Sequence, residues 1–205
     1  ITGIDFNNRG DIFVTCSEDG KVIIWDWKDK TKTFVIGFKD AVSDIKIHPR
    51  KQEIVVGTKG GKLETWDLEK GTKINVIKKF EHPVSHVEFD NNGKRIISAL
   101  DDGSVHIWEY RVSLYLKTLI GHERSIESID FSTNSKYLIS SGSEKSVFLW
   151  DLGNEEKVEK FAMDNHRVQE VRFIPNSLNF ITAGTNGLVK IWDSKGGELV
   201  RDLIF

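Results

Sequence analysis

At 205 residues, with 39% hydrophobic and 29% charged side chains and a net charge of −2, the chain has ordinary globular composition and can bury a sizeable core. Charges of both signs are interspersed, which sets aside the basic stripe that phosphate backbones require, and no apolar run approaches the roughly 20 residues of a membrane-spanning helix. A single cysteine, Cys16, allows no internal disulfide and points to a reducing compartment, so the expected setting is intracellular and cytoplasmic, with cytoskeleton, cilium or nucleus as variants of it.

A short strand pattern closing on Trp and an acid appears first as Val22-Ile23-Ile24-Trp25-Asp26. It returns as Leu63-Glu64-Thr65-Trp66-Asp67, Val105-His106-Ile107-Trp108-Glu109, Val147-Phe148-Leu149-Trp150-Asp151 and Val189-Lys190-Ile191-Trp192-Asp193. These tryptophans fall 41, 42, 42 and 42 residues apart, and self-similarity at a fixed period marks a repeat architecture. Apolar residues recur at fixed distances before each Trp. Ile1, Val42, Val84, Ile126 and Val168 stand 24 earlier; Ile4, Ile45, Val87, Ile129 and Val171 stand 21 earlier. Phe6, Ile47, Phe89, Phe131 and Phe173 stand 19 earlier, and Phe13, Ile54, Ile96, Leu138 and Phe180 stand 12 earlier. Short alternating runs of β-branched and aromatic residues are strands. Each repeat is predicted as four strands, a to d, with the Trp ending strand c; the repeats run approximately 1–38, 39–79, 80–121, 122–163 and 164–205 in one domain.

Turn chemistry follows the same order along the chain. Repeat one has Asn7-Asn8-Arg9-Gly10-Asp11 between strands a and b and Asp19-Gly20 between b and c, with an extra Trp27 just past strand c. Repeat two has Pro49-Arg50-Lys51-Gln52 and Gly60-Gly61; repeat three has Asn91-Asn92-Gly93-Lys94 and Asp102-Gly103. Repeat four has Thr133-Asn134-Ser135-Lys136, but its b–c turn, Ser143-Glu144-Lys145-Ser146, lacks glycine; repeat five has Pro175-Asn176-Ser177 and Asn186-Gly187. Asp-Gly and Asn-Gly are strong hairpin signals because they supply positive φ. Strand d is the least regular element, at 33–36, 74–77, 116–119, 158–161 and 199–203. Residues 155–160 have helical propensity, yet the repeat register puts strand d there.

With five in-phase copies of this pattern, Trp-Asp in four of them, and Gly121-His122 ahead of strand a in repeat four, the chain resembles the WD-repeat (WD40) β-propeller family over essentially its whole length. The resemblance implies an all-β fold of five four-stranded antiparallel blades used as a rigid protein-binding platform. It also implies a buried hydrogen-bond chain in each blade, linking a His before strand a, a Ser or Thr in strand b, an Asp in the b–c turn and the Trp. The matching columns are Thr15, Val56, Ser98, Ser140 and Thr182 in strand b, and Asp19, Gly60, Asp102, Glu144 and Asn186 in the turn. The His column matches at His122; His82 and His166 stand two places nearer strand a. Repeat two, with Phe38, Val56 and Gly60, has lost all three polar partners together, so its stability is assigned to Trp66 and aliphatic packing. Rings of this kind have about 4–8 blades. Every repeat runs a to d with no strand left to exchange, so the expectation is part of a seven-bladed ring whose end faces present Ile4, Phe6, Ile191 and Leu199.

His122, Ser140 and Glu144 have the residue types of a hydrolase triad, but triads are recognised by geometry, and the structural chain is the better reading. His82 and His86 lack a third ligand for a metal. Cys16 is a small buried hydrophobe, His106 packs between blades or faces solvent, and Trp27 either fills the blade edge or anchors a partner. No catalytic residue, cofactor, metal or small-molecule substrate is expected, and neither nucleic acid nor membrane is an expected partner. The expected function is a non-catalytic scaffold for proteins or peptides in a multisubunit complex. The alternative is a substrate-receptor or regulatory propeller of a multidomain enzyme complex, such as a ubiquitin ligase, or of an RNA-processing complex. The surface assigned to partners is the b–c turn column seven before each Trp, Glu18, Lys59, Asp101, Ser143 and Thr185, with Asp40 and Arg124 from the loops before strand a.

Overall fold

The computed structural model describes residues 1–29, 31–153, 158–162, 166–195 and 197–203. It divides the chain into two compact units, Ile1–Asp101 with Val105–Leu119, and Asp102–Ser104 with Ile120–Phe205. Residues 154–157, where helical propensity competed with the repeat register, and the boundary between repeats four and five lie outside the described residues.

Three four-stranded sheets make up the strands of the first unit. They are β1 (Gly3–Phe6), β2 (Ile12–Cys16), β3 (Lys21–Asp26) and β4 (Thr31–Gly37); β5 (Val42–Ile47), β6 (Glu53–Thr58), β7 (Lys62–Asp67) and β8 (Lys73–Lys79); and β9 (Val84–Phe89), β10 (Arg95–Leu100), β11 (Val105–Glu109) and β12 (Leu114–Leu119). The second unit has two: β13 (Ile126–Phe131), β14 (Tyr137–Gly142), β15 (Ser146–Asp151) and β16 (Val158–Ala162), then β17 (Val168–Phe173), β18 (Phe180–Gly184), β19 (Val189–Trp192) and β20 (Leu199–Leu203). Each sheet pairs its strands antiparallel in sequence order, and the described residues contain no helix. The blade-by-blade expectation holds, and Val158–Ala162 is a strand.

Hairpin turns follow their chemistry. Gly20, Gly61, Gly103 and Gly187 take positive φ in the b–c turns, and where repeat four lacks glycine, Lys145 does so at 68°. That conformation is uncommon for a side chain bearing Cβ.

Because side chains alternate across a strand, each sheet has a Trp face and an opposite face. Within the first unit, Val14, Val22, Ile24 and Ile36 of the first sheet pack on Ile45, Ile54, Val56 and the half-buried Trp66 of the second. Val55 and Leu63 of the second sheet meet Val87, Ile96 and Trp108 of the third. In the second unit Ile139, Val147 and Leu149 meet Val171, Phe180 and Trp192. Within each unit the Trp face of a blade thus closes on the opposite face of the blade before it. On the Trp face of the first sheet Ile4 and Phe6 are 55% and 53% exposed, as expected; Leu199 is exposed too, whereas Ile191 is half-buried.

Carboxylates fasten neighbouring blades, a feature the strand pattern did not reveal. Strand a is the edge of its sheet, so half of its N–H groups have no partner within the sheet. Asp5 Oδ2 accepts the N–H of Ile47 at 2.7 Å, Asp44 Oδ2 that of Val87 at 3.1 Å, and Asp130 Oδ2 that of Phe173 at 2.8 Å. Burial pushes the Asp5 carboxyl up; the Ile47 N–H and the Lys46 charge oppose it.

Candidate interaction surface

Each Trp at the end of strand c donates its indole N–H to a side-chain oxygen. In four blades the acceptor is the strand-b hydroxyl that the family resemblance implies: Thr15 for Trp25 at 3.0 Å, Ser98 for Trp108 at 3.2 Å, Ser140 for Trp150 at 2.9 Å and Thr182 for Trp192 at 2.9 Å. The cross-strand register makes this geometry, since Trp and hydroxyl lie on one face of adjacent strands: Ser98 pairs with His106 and Ile96 with Trp108.

Blade two corrects the apolar reading. Glu64, two residues before Trp66 and only 3% exposed, accepts the indole N–H at 3.2 Å. Its other oxygen accepts from Lys73 Nζ at 2.9 Å, and the same ammonium lies 5.1 Å from the centre of the Trp66 ring. A buried carboxylate needs a compensating charge, and Lys73 of the outer strand supplies it. The glycine at position 60 also has a reason: the Asp40 carboxylate occupies the space a Cβ would take there.

Blade four carries the full chain. Glu144 bonds to His122 Nδ1, His122 Nε2 lies 2.7 Å from the Ser140 hydroxyl, and that hydroxyl accepts from Trp150. The consistent assignment is a neutral ring, protonated at Nδ1, accepting the Ser140 O–H at Nε2. Glu144, in a turn of the same length as the others but without glycine, thus takes the place of the family's Asp, with Oε2 buried and unpartnered among the described residues. Ser140 is fully buried and engaged on both sides, so no substrate could reach this Ser–His–acid set. Asp19 departs from the expectation: it closes its own turn, accepting from the backbone and side chain of Lys21 at 3.0 Å each. Asp102 accepts from the N–H and hydroxyl of Ser104 at 2.9 and 2.6 Å.

Burial holds the His122 ring below its ordinary value, against the opposing pull of Glu144. On unfolding the ring regains its ordinary value of 6.5, so below that pH the unfolded chain binds more protons than the folded one. This contribution to stability is therefore full above the unfolded value and is lost as the pH falls below it, by at most about 1.4 kcal/mol per pH unit, levelling off beneath the folded value. Denaturant midpoints taken across this range are expected to show the loss in the unaltered chain and a flatter profile in His122→Gln.

The remaining residues singled out by sequence sort as follows. Cys16 is buried, its thiol pushed up to about 11 chiefly by desolvation. His86 Nδ1 lies 3.6 Å from Asp44. His106 is half-buried on the Trp face of its sheet, the face turned toward the blade before it; it bonds the Thr118 hydroxyl at 2.9 Å and packs on Phe80, Trp108 and Tyr115. Trp27 is 58% exposed and fills no blade edge. His48, which sequence reasoning missed, is buried: Nδ1 accepts the Arg50 N–H at 3.0 Å, and Nε2 lies 3.0 Å from the Gly93 carbonyl.

At the b–c turn end of the first unit, Glu18 and Lys59 come together at 2.7 Å, each favouring the charged form of the other, with Asp101 close enough to act on Lys59. Asp40 pairs instead with Lys62 at 3.2 Å. In the second unit Ser143 bonds Ser125 at 2.8 Å and joins Glu127 and Arg167; the Thr185 N–H donates to the Arg167 carbonyl at 2.9 Å, and Arg124 is exposed.

Comparison with known proteins agrees with this architecture. The family model described as "Echinoderm microtubule-associated protein second beta-propeller" matches residues 1–173, and the model "WD domain, G-beta repeat" matches residues 157–193. The chain is 31% identical over 88 residues to Target of rapamycin complex subunit wat1 of Schizosaccharomyces pombe. That match spans 42% of this chain and 28% of the relative. Propellers of this class are in general non-catalytic scaffolds. The repeats, the blades and the matched family model together mean that the chain belongs to the WD-repeat β-propellers, in the family of the second propeller of echinoderm microtubule-associated proteins.

Proposed function

We propose that the chain is a non-catalytic scaffold that docks proteins or peptides within a multiprotein assembly, using the b–c turn ends of its blades. The observation that carries this reading is the separation of its polar groups. The hydrogen-bonded Ser–His–acid set is sealed inside blade four, while unlike charged groups such as Glu18, Lys59, Asp101 and Arg124 stand exposed on turns. Charges on turns held by a rigid scaffold are suited to selecting partners and orienting encounter. Ser143, Thr185 and Asp40 would add to the surface within their own units. The family is named for microtubule-associated proteins and the relative for a complex subunit, which supports a role in assemblies and makes tubulin the first partner to test, in a cytoplasmic setting.

Partners captured from a eukaryotic extract, and purified tubulin, are to be compared on the unaltered chain and on Lys59→Glu with Asp101→Lys; Arg124→Glu tests the second unit by itself. Binding is expected to fall about tenfold or more where the altered turn lies in the contact. An unchanged partner set, or turnover of a substrate in a broad hydrolase screen, would overturn the reading.

A further inference from the structure

We propose that the first unit has a second docking surface, at the end of its sheets opposite the b–c turns, and that it takes an acidic protein segment. Three a–b turns are joined there: Asn8 Nδ2 donates to the Pro49 carbonyl at 2.6 Å, and Arg50 Nη2 to Asn92 Oδ1 at 3.4 Å. Between the first two turns lies a groove of about 140 Å³, with buried His48 in its lining and Arg9, Arg50 and Lys51 around it. The Trp27 backbone N–H donates to the Asp11 carbonyl at 2.8 Å, which places this exposed residue at the same end.

The cations here are poorly matched from within. Arg9, Arg50 and Lys94 are exposed and form no ion pair among the described residues. Lys51 stands 3.5 Å from Glu53 and 4.7 Å from the Tyr110 ring centre. The acids at the groove are already engaged: Glu53 by Lys51, and Asp11 by Asn7 Nδ2 at 2.6 Å, the main reason its carboxyl is lowered, with Lys28 and Arg9 adding to it. An exposed tryptophan and arginines at one end of a unit are residue types enriched at the energetic centre of interfaces. The cations that line the groove, Arg9, Arg50 and Lys51, select a partner bearing carboxylates.

The test is fluorescence anisotropy on the full chain with a short labelled Glu/Asp-rich peptide. Arg9→Glu combined with Arg50→Glu is expected to weaken binding about tenfold or more, and Trp27→Ala severalfold, whereas Lys78→Glu on the outer strand β8 leaves it unchanged. Thermal melts establish that each variant is folded. Absence of saturable binding by the unaltered chain, or equal weakening by Lys78→Glu, would overturn the proposal. Tighter binding of a single-stranded oligonucleotide of matched charge would overturn the assignment to a protein segment. Because the altered residues lie away from the b–c turns, failure here leaves the proposed function standing, and failure there leaves this surface standing.

Discussion

Ser140→Ala is expected to lower the unfolding free energy by about 2–4 kcal/mol, because one substitution strands two buried groups that each cost about 1–3 kcal/mol without a partner. Those groups are the Trp150 indole N–H and His122 Nε2, on residues 2% and 6% exposed. Ser98→Ala, which removes the acceptor of Trp108, is expected to cost only about 1–2 kcal/mol. Urea midpoints at unchanged slope measure both. Equal effects at the two positions would mean that His122 is not anchored through the hydroxyl.

Glu64 and Lys73 should behave as one unit. Lys73→Met leaves a buried carboxylate without its counter-charge. A fully buried pair broken in this way costs about 3–5 kcal/mol, but Lys73 is 42% exposed and water screens the loss, so about 1–2 kcal/mol is expected. Glu64→Leu removes the acceptor of Trp66 and should also cost about 1–2 kcal/mol. Removing both charges together eliminates the desolvation penalty as well as the attraction, so the double variant should be more stable than the two single losses predict, by about 1 kcal/mol. Additive losses in this cycle would mean that the ion pair contributes nothing beyond packing.

Much of the blade was legible in the sequence because its strands obey two periods at once. Alternation within each strand separates the two faces, and the 41–42-residue spacing fixes which column each residue occupies. Four of the five indole acceptors stand where the family resemblance, laid onto that register, implies them. Glu64 was missed because a charged residue alternating with apolar ones is ordinarily solvated. A signal was nevertheless present: its column holds Ile23, His106, Phe148 and Lys190 elsewhere, and in repeat two the acid appears where Val56 has replaced the hydroxyl. The blade-to-blade bonds of Asp5, Asp44 and Asp130 were hidden for a different reason. They satisfy N–H groups of a neighbouring sheet, and spacing within one repeat carries no information on which edge groups remain open. Trp27 and the a–b turn cations looked like isolated surface residues until the folded turns brought them to one end.

The rigid scaffold rests on one hydrogen-bonded tryptophan per blade, and indole N–H exchange in proton–nitrogen correlation spectra tests this most directly. The chain has six tryptophans. Five signals, from Trp25, Trp66, Trp108, Trp150 and Trp192, are expected to exchange slowly, including Trp66 held by Glu64, while the exposed Trp27 exchanges fast. Exchange at any of the five as fast as at Trp27 would contradict the account for that blade, and fast exchange at all five would contradict it altogether.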